Sequence, residues 1–307
     1  MNAQRLLMVL LTVLCLTTSA VASSFTSVVV YGDSLSDNGN LFSATGVPGT
    51  PYFDGRRSNG PLAVELLATN LGVPLVDFAW IGATTGVGNY ADGGTVTTLG
   101  AYSLPGMTTI YDATKAGLGP YLPGGLFIVW GGPNDVLAPS LLDSTPTDII
   151  TRALANELAI IMDLKNMGAK SILAPGMPDL GLTPYFKSLG AAAAAQGSAF
   201  TDAYNYGLRT LLPADVLFFD TASLLRSLVS NPTVYGFTNA TAACFNGTTL
   251  CGDPNDYIFF DEFHPSEAAQ AILAKGFEST LPVPEPSTVF LFAIGLIGTG
   301  LLRRRIR

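Results

Sequence analysis

Two short stretches at opposite ends of the chain carry side chains whose types suit nucleophilic chemistry. Ser34 stands in Gly32-Asp33-Ser34-Leu35, and His264, the single histidine, stands in Asp261-Glu262-Phe263-His264-Pro265. A serine hydroxyl is a weak nucleophile at its own pKa and needs a neighbouring base to take its proton. An imidazole is the side chain best matched to take that proton and return it near neutral pH. Asp261, three residues before His264, is placed to fix the imidazole tautomer and to stabilise the cation that forms as the proton moves. Ser34, His264 and Asp261 are therefore the candidate catalytic group.

The same residue types exclude other chemistries. One histidine and few available thiolates leave too few ligands for zinc. Asp253, Asn255 and Asp256 lack the ligand spacing of a calcium loop and read as a proline-containing turn. No metal or cofactor is expected. The formal net charge of −8 leaves no basic face for phosphate, so nucleic acid is not an expected partner.

The elements that must hold these residues alternate in type. Near-continuous apolar, β-branched runs at Phe25–Tyr31, Pro74–Ala79, Leu126–Trp130, Ser171–Pro175 and Asp215–Asp220 predict strands covered on both faces. Helical spacing predicts helices over Pro61–Leu71, Asp148–Met167, Ala191–Leu212 and Pro265–Lys275, with proline at two of the starts and Gly168 as a stop. Strands alternating with helices imply an α/β fold, three layers deep, with a central and mostly parallel five-stranded sheet. In such sheets ligands bind beyond the carboxyl ends of the strands. Ser34, Gly82 and Asn134 each follow a predicted strand, so they and the Asp261–His264 stretch are expected to meet at one edge. The segment Thr84–Gly125 is long for a connection and is expected to cover part of the cleft. Tyr52, Phe53, Trp80 and Tyr90 are candidates for lining an acyl or sugar pocket.

The ends of the chain read as sorting signals. Residues 1–22 combine Arg5, the apolar run Leu6–Leu16 and Ser19-Ala20-Val21-Ala22, the pattern of an export signal with a small-residue cleavage site. A membrane-anchoring first helix is the alternative, for which the apolar run is short. Cys15 falls within that segment, so Cys244 and Cys251 remain as a pair, expected to form a disulfide in an oxidising compartment and to stiffen the approach to Asp261 and His264. Two free thiols are the alternative. A domain over residues 23–281 then leaves a tail over 282–307: Pro284-Glu285-Pro286-Ser287, an apolar segment at 288–302 and a terminal arginine cluster. This tail resembles the PEP-CTERM sorting signal of bacteria, which implies exosortase-type machinery as a partner, transient membrane association and a cell-surface or extracellular location. A retained C-terminal anchor is the alternative.

The order of the internal blocks resembles the GDSL, or SGNH, family of serine esterases and lipases. Gly32-Asp33-Ser34-Leu35-Ser36-Asp37-Asn38-Gly39-Asn40 is similar to its nucleophile block and Asp77-Phe78-Ala79-Trp80-Ile81-Gly82-Ala83-Thr84 to its second. Gly132-Pro133-Asn134-Asp135 and Asp261-Glu262-Phe263-His264-Pro265 are similar to the remaining two, and Ser58-Asn59-Gly60-Pro61 to a stretch shared by one subgroup. The resemblance implies the SGNH-hydrolase, flavodoxin-like form of the α/β fold. It also implies hydrolysis of a carboxylic ester (a lipid, a small acyl ester or an O-acylated polysaccharide) through an acyl-enzyme on Ser34. The oxyanion donors it implies are the backbone N–H groups of Ser34 and Gly82 and the side-chain amide of Asn134. Ile81 and Phe260 depart from the common pattern; Ile81 is expected to narrow the pocket or shift the Gly82 amide, and Phe260 to alter packing. A non-catalytic surface or matrix protein that keeps the fold for binding is the alternative.

Overall fold

Alternate residues of the central strands face two separate cores, and this explains their unbroken apolar character. In the computed structural model, which describes residues 25–282, the strands are β1 (Ser27–Gly32), β2 (Leu75–Asp77), β3 (Gly125–Trp130), β4 (Ser171–Pro175) and β5 (Leu217–Phe219). They form one wholly parallel sheet in the order β2-β1-β3-β4-β5, the flavodoxin-like arrangement. A separate parallel pair joins β6 (Asn239–Ala243) to β7 (Tyr257–Phe259).

The helices are α1 (Asn40–Thr45), α2 (Ala63–Leu71), α3 (Met107–Thr114), α4 (Pro133–Leu137), α5 (Pro146–Met167), α6 (Pro184–Ser188), α7 (Ala191–Leu211), α8 (Thr221–Ser230) and α9 (Glu267–Thr280). On one face Val28, Val30, Leu126 and Ile128 pack with Val64 and Leu67 of α2 and with Leu273 and Phe277 of α9. On the other face Val29, Phe127 and Val129 pack with Met107 and Ile110 of α3 and with Ile160, Ile161 and Leu164 of α5. The three-layer α/β/α architecture expected from the sequence is the one observed.

Local chemistry sets the helix limits. Thr145 and Asp148 cap α5 reciprocally, and Gly168 ends it at φ 104°, a left-handed conformation that costs glycine little. The last helix begins at Glu267, two residues later than expected. Ser266 caps it by accepting from Ala269 N–H while donating to the carbonyl of Tyr257. Pro265 and His264 therefore lie outside the helix. The segment Thr84–Gly125 reaches the cleft through Tyr90 and Ala91, and much of the rest serves the core through α3. Residues 1–22 and the apolar segment 288–302, with their expected sorting roles, lie outside the described residues. Among the described residues no helix is long and apolar enough to cross a membrane.

Candidate active site

β1 ends at Gly32, where a side chain would lie 2.8 Å from the carbonyl of Trp130 on β3, so glycine permits the close approach of the two strands. The chain then turns on Asp33, whose carbonyl accepts from Ser36 and Asp37 N–H and whose carboxylate accepts from Leu35 N–H at 3.0 Å. Ser34 stands at the apex of this turn. At the other end of the chain, Phe260 N–H donates to the carbonyl of His264 at 2.7 Å and closes the Asp261–His264 stretch into a tight loop after β7. The Ser58–Pro61 stretch braces this loop from outside: Ser58 Oγ donates to the carbonyl of Pro265, and Asn59 Oδ1 accepts from Glu267 N–H.

The two ends meet. Ser34 Oγ lies 2.7 Å from His264 Nε2, and His264 Nδ1 lies 2.7 and 2.9 Å from the two carboxylate oxygens of Asp261. An ionised carboxylate only accepts, so Nδ1 carries the proton and Nε2 is left to accept from the serine hydroxyl. Asp261 is buried, and burial alone would raise its pKa. The charge and hydrogen bond of His264, with the N–H groups of Phe263 and His264, outweigh that and hold it down to about 2. His264 lies before the helix, and Asp261 is its charged hydrogen-bond partner.

Gly82 and Asn134 line the same cleft as Ser34 and His264. Gly82 takes φ +80°, and a Cβ there would lie 2.3 Å from Asn89 Oδ1, so the position admits only glycine without strain. Asn89 in turn donates to the carbonyl of Ile81. The backbone N–H groups of Ser34 and Gly82 donate to no acceptor within the described residues. Asn134, on α4, donates at 2.9 Å to the carbonyl of Ala83 and has a longer contact of 3.4 Å to Asp33. Ile81 lines the cleft, with its N–H held by Asp37 Oδ2 at 2.7 Å and its carbonyl by Asn89.

Several residues of the site carried no assigned role in the sequence reading. The Asp37 carboxylate accepts from Gly39, Asn40, Leu41 and Ile81 N–H, and so ties the serine turn to the Gly82 loop. Asp135 accepts from the N–H and hydroxyl of Thr85, tying the Asn134 helix to that same loop. Both lie inside the quoted blocks, adjacent to residues of interest, and a buried acid repeatedly placed beside a catalytic candidate was the available signal. Behind them, Glu157 is fully buried with one oxygen bonded to Tyr204 and the other without a partner. Burial pushes Asp33 up to about 6, Asp135 to about 7 and Glu157 to about 8.

The cleft has a volume of about 680 Å³ and a mainly apolar lining that includes Leu35, Leu41, Val47, Leu137, Leu180 and Phe263. Of the aromatic candidates Tyr52 and Tyr90 line it, whereas Trp80 packs against the core and Phe53 is exposed beneath the Arg56 guanidinium. Phe260 is buried and meets Tyr52 edge-on. Cys244 and Cys251 form the expected disulfide, and the loop they close places Phe245, Asn246 and Gly247 on the cleft wall.

The chain is similar to several known proteins. The profile of the GDSL-like lipase/acylhydrolase family matches residues 28–277, and the PEP-CTERM protein-sorting motif matches residues 282–305. A phosphatidylcholine-sterol acyltransferase from Aeromonas hydrophila is 30% identical over 256 residues, covering 78% of this chain and 72% of that protein. A GDSL esterase/lipase from Arabidopsis thaliana is 25% identical over 313 residues, covering 80% of this chain and 84% of that protein. Among solved structures, a carbohydrate acetylesterase from Sinorhizobium meliloti superposes with a TM-score of 0.45 at 17% identity, covering 83% of this chain and 99% of that one. The chain belongs to the GDSL-like lipase/acylhydrolase family and is a carboxylic ester hydrolase.

Proposed function

We propose that Ser34 attacks the acyl carbonyl of the ester, with His264 as general base and Asp261 as the group that orients it. The observation that carries this reading is the 2.7 Å contact between Ser34 Oγ and His264 Nε2. As the hydroxyl adds, its proton passes to Nε2, and Asp261 stabilises the imidazolium. The tetrahedral oxyanion is met by the N–H groups of Ser34 and Gly82 and by the amide of Asn134. Collapse releases the alcohol, protonated by His264, and leaves an acyl-enzyme on Ser34. Water activated by the same imidazole then releases the acid. Transfer to an alcohol in place of water is a partition of that intermediate, and the Aeromonas hydrophila relative is named for such a transfer.

The apolar cleft favours an ester with an extended hydrocarbon part. We place the protein outside the cytoplasm, with residues 1–22 as an export signal, residues 23–281 as the catalytic domain and residues 282–307 as a tail recognised by exosortase-type machinery and held briefly in the membrane. The PEP-CTERM match and the Cys244–Cys251 disulfide support this reading. A fluorophosphonate probe applied to the wild type and to Ser34→Ala tests the mechanism. Labelling of the wild type alone is expected, and labelling of both proteins or of neither would overturn it. Beside it, a panel of short and long acyl nitrophenyl esters, a phospholipid and an acetylated polysaccharide defines the substrate class.

A further inference from the structure

Asp261 accepts four hydrogen-bonding partners, and one comes from a distant part of the chain. Three belong to its own turn: the N–H groups of Phe263 and His264 on Oδ1, and the imidazole. The fourth is the hydroxyl of Tyr52, which donates to Oδ2 at 2.9 Å from 209 residues away. Arg57 in turn donates through Nη1 to the Tyr52 oxygen at 3.1 Å, and its guanidinium lies 5.0 Å above the ring. The ring itself is fixed edge-on between Phe245 and Phe260. Phe245 N–H donates to the carbonyl of Phe260, so the disulfide loop and the stretch before Asp261 form one pocket around the phenol.

We propose that Tyr52, backed by Arg57, is a positioning residue for the ester hydrolysis: its hydroxyl anchors Asp261 Oδ2 and so fixes how the carboxylate faces His264. This rests on the reading of Ser34, His264 and Asp261 as the catalytic group. Two effects follow from the geometry. The three contacts within the Asp261–His264 turn move with that turn, whereas Tyr52 ties the carboxylate to a segment 209 residues away in the chain, so the phenol sets its angle relative to Ser34. The phenol also withdraws charge from Oδ2, the oxygen that the imidazole shares at 2.9 Å. Removing it leaves more of the carboxylate charge to the imidazolium and stabilises the protonated ring. Burial, followed by the charge of Asp261, raises the Tyr52 pKa and keeps the phenol a donor at all working pH values. The charged groups facing the His264 ring are Asp261 from its own turn, Asp33 from the turn after β1, and Arg57 acting through Tyr52; Glu262 is exposed.

The test is Tyr52→Phe, which keeps the ring, measured with a soluble nitrophenyl ester beside Ser34→Ala in the full chain. Expected is a loss in kcat of about tenfold, the size for a hydrogen bond to a charged group. KM should stay within roughly twofold, and the acid limb of kcat/KM should move upward by roughly half a pH unit. A purely structural role would move neither the split nor the limb. If Ser34→Ala is inactive while Tyr52→Phe keeps kcat within about twofold and an unmoved acid limb, this inference is overturned and the catalytic reading stands. If Ser34→Ala remains active, the catalytic reading itself fails. Should thermal unfolding show that Tyr52→Phe does not fold, Arg57→Met is judged on the same kcat and pH criteria, with a smaller loss in the same direction.

Discussion

The carboxylate of Asp37 lies 2.7 Å from the backbone nitrogen of Ile81, the residue immediately before Gly82. This bond joins the loop that carries Ser34, the proposed nucleophile, to the loop that carries an expected oxyanion donor. Asp37 is buried with four N–H donors, and burial raises its pKa against the effect of those donors. Asp37→Ala leaves those N–H groups to be satisfied by water. We expect a stability loss of about 2–4 kcal/mol and a fall in kcat of at least ~10-fold. Denaturant melts and steady-state kinetics check both, and unchanged kcat would separate Asp37 from the Gly82 loop.

Asn134→Ala removes a donor without touching Ser34 or His264. The expected cost is ~2.7–4 kcal/mol of transition-state stabilisation, a fall in kcat of about 10²–10³. The melting temperature should fall modestly, since the buried Ala83 carbonyl loses its donor while Asp135 still binds Thr85 and holds α4 in place. Near-normal turnover by a folded Asn134→Ala protein would remove Asn134 from the oxyanion site.

Gly82→Ala meets a steric limit. A Cβ at φ +80° collides with Asn89 Oδ1, so the loop must shift. Turnover should fall with a stability loss of about 1–3 kcal/mol. Asn89→Ala in the same chain opens the space but gives up the bonds of a buried amide to the Ile81 and Pro105 carbonyls and to Ala91 N–H, so the double variant should recover no stability in thermal unfolding.

Glu157 sets a pH dependence of stability. Its carboxyl has a pKa of about 8 in the folded chain, far above an exposed glutamate, so the folded state binds more protons than the unfolded one between the two values. Stability therefore falls as pH rises toward 8, by at most roughly 1.4 kcal/mol per pH unit for one proton. Asp135 and Asp33 add to the same trend at lower pH. Asp261 acts oppositely: its lowered pKa gives stability that is lost as pH falls through the acid range toward 2. Glu157→Gln keeps an acceptor for Tyr204 and should flatten the alkaline slope in melts between pH 5 and pH 8.5. An unchanged slope would show that Glu157 ionises freely.

Reduction of the Cys244–Cys251 bond, which spans a sequence separation of 7, frees a short loop. The chain-entropy relation gives a loss of roughly 2.5 kcal/mol. Because Phe245, Asn246 and Gly247 line the cleft, KM should rise as well. Calorimetry and kinetics on the Cys244→Ser, Cys251→Ser protein test this, and a normal KM would place the loop outside the substrate path.

Features that repeat along the chain, or that name a chemistry, could be read before any fold was known. Continuous apolar runs marked all five strands of the central sheet because both faces are covered, and Gly168 marked a helix end through its backbone freedom. Ser34, Asp261 and His264 stood out as candidates because few residue types can exchange a proton with a hydroxyl and there is one histidine, and their side chains do meet. Tertiary structure alone decided what depends on single polar pairs across long separations: Tyr52 with Asp261, Asp37 with Ile81, Asp135 with Thr85. It also decided that Thr84–Gly125 would supply α3 to the core. The physical reason is that periodic burial writes a pattern into neighbouring residues, whereas one hydrogen bond between distant side chains leaves no period and is fixed only when packing brings its two ends together.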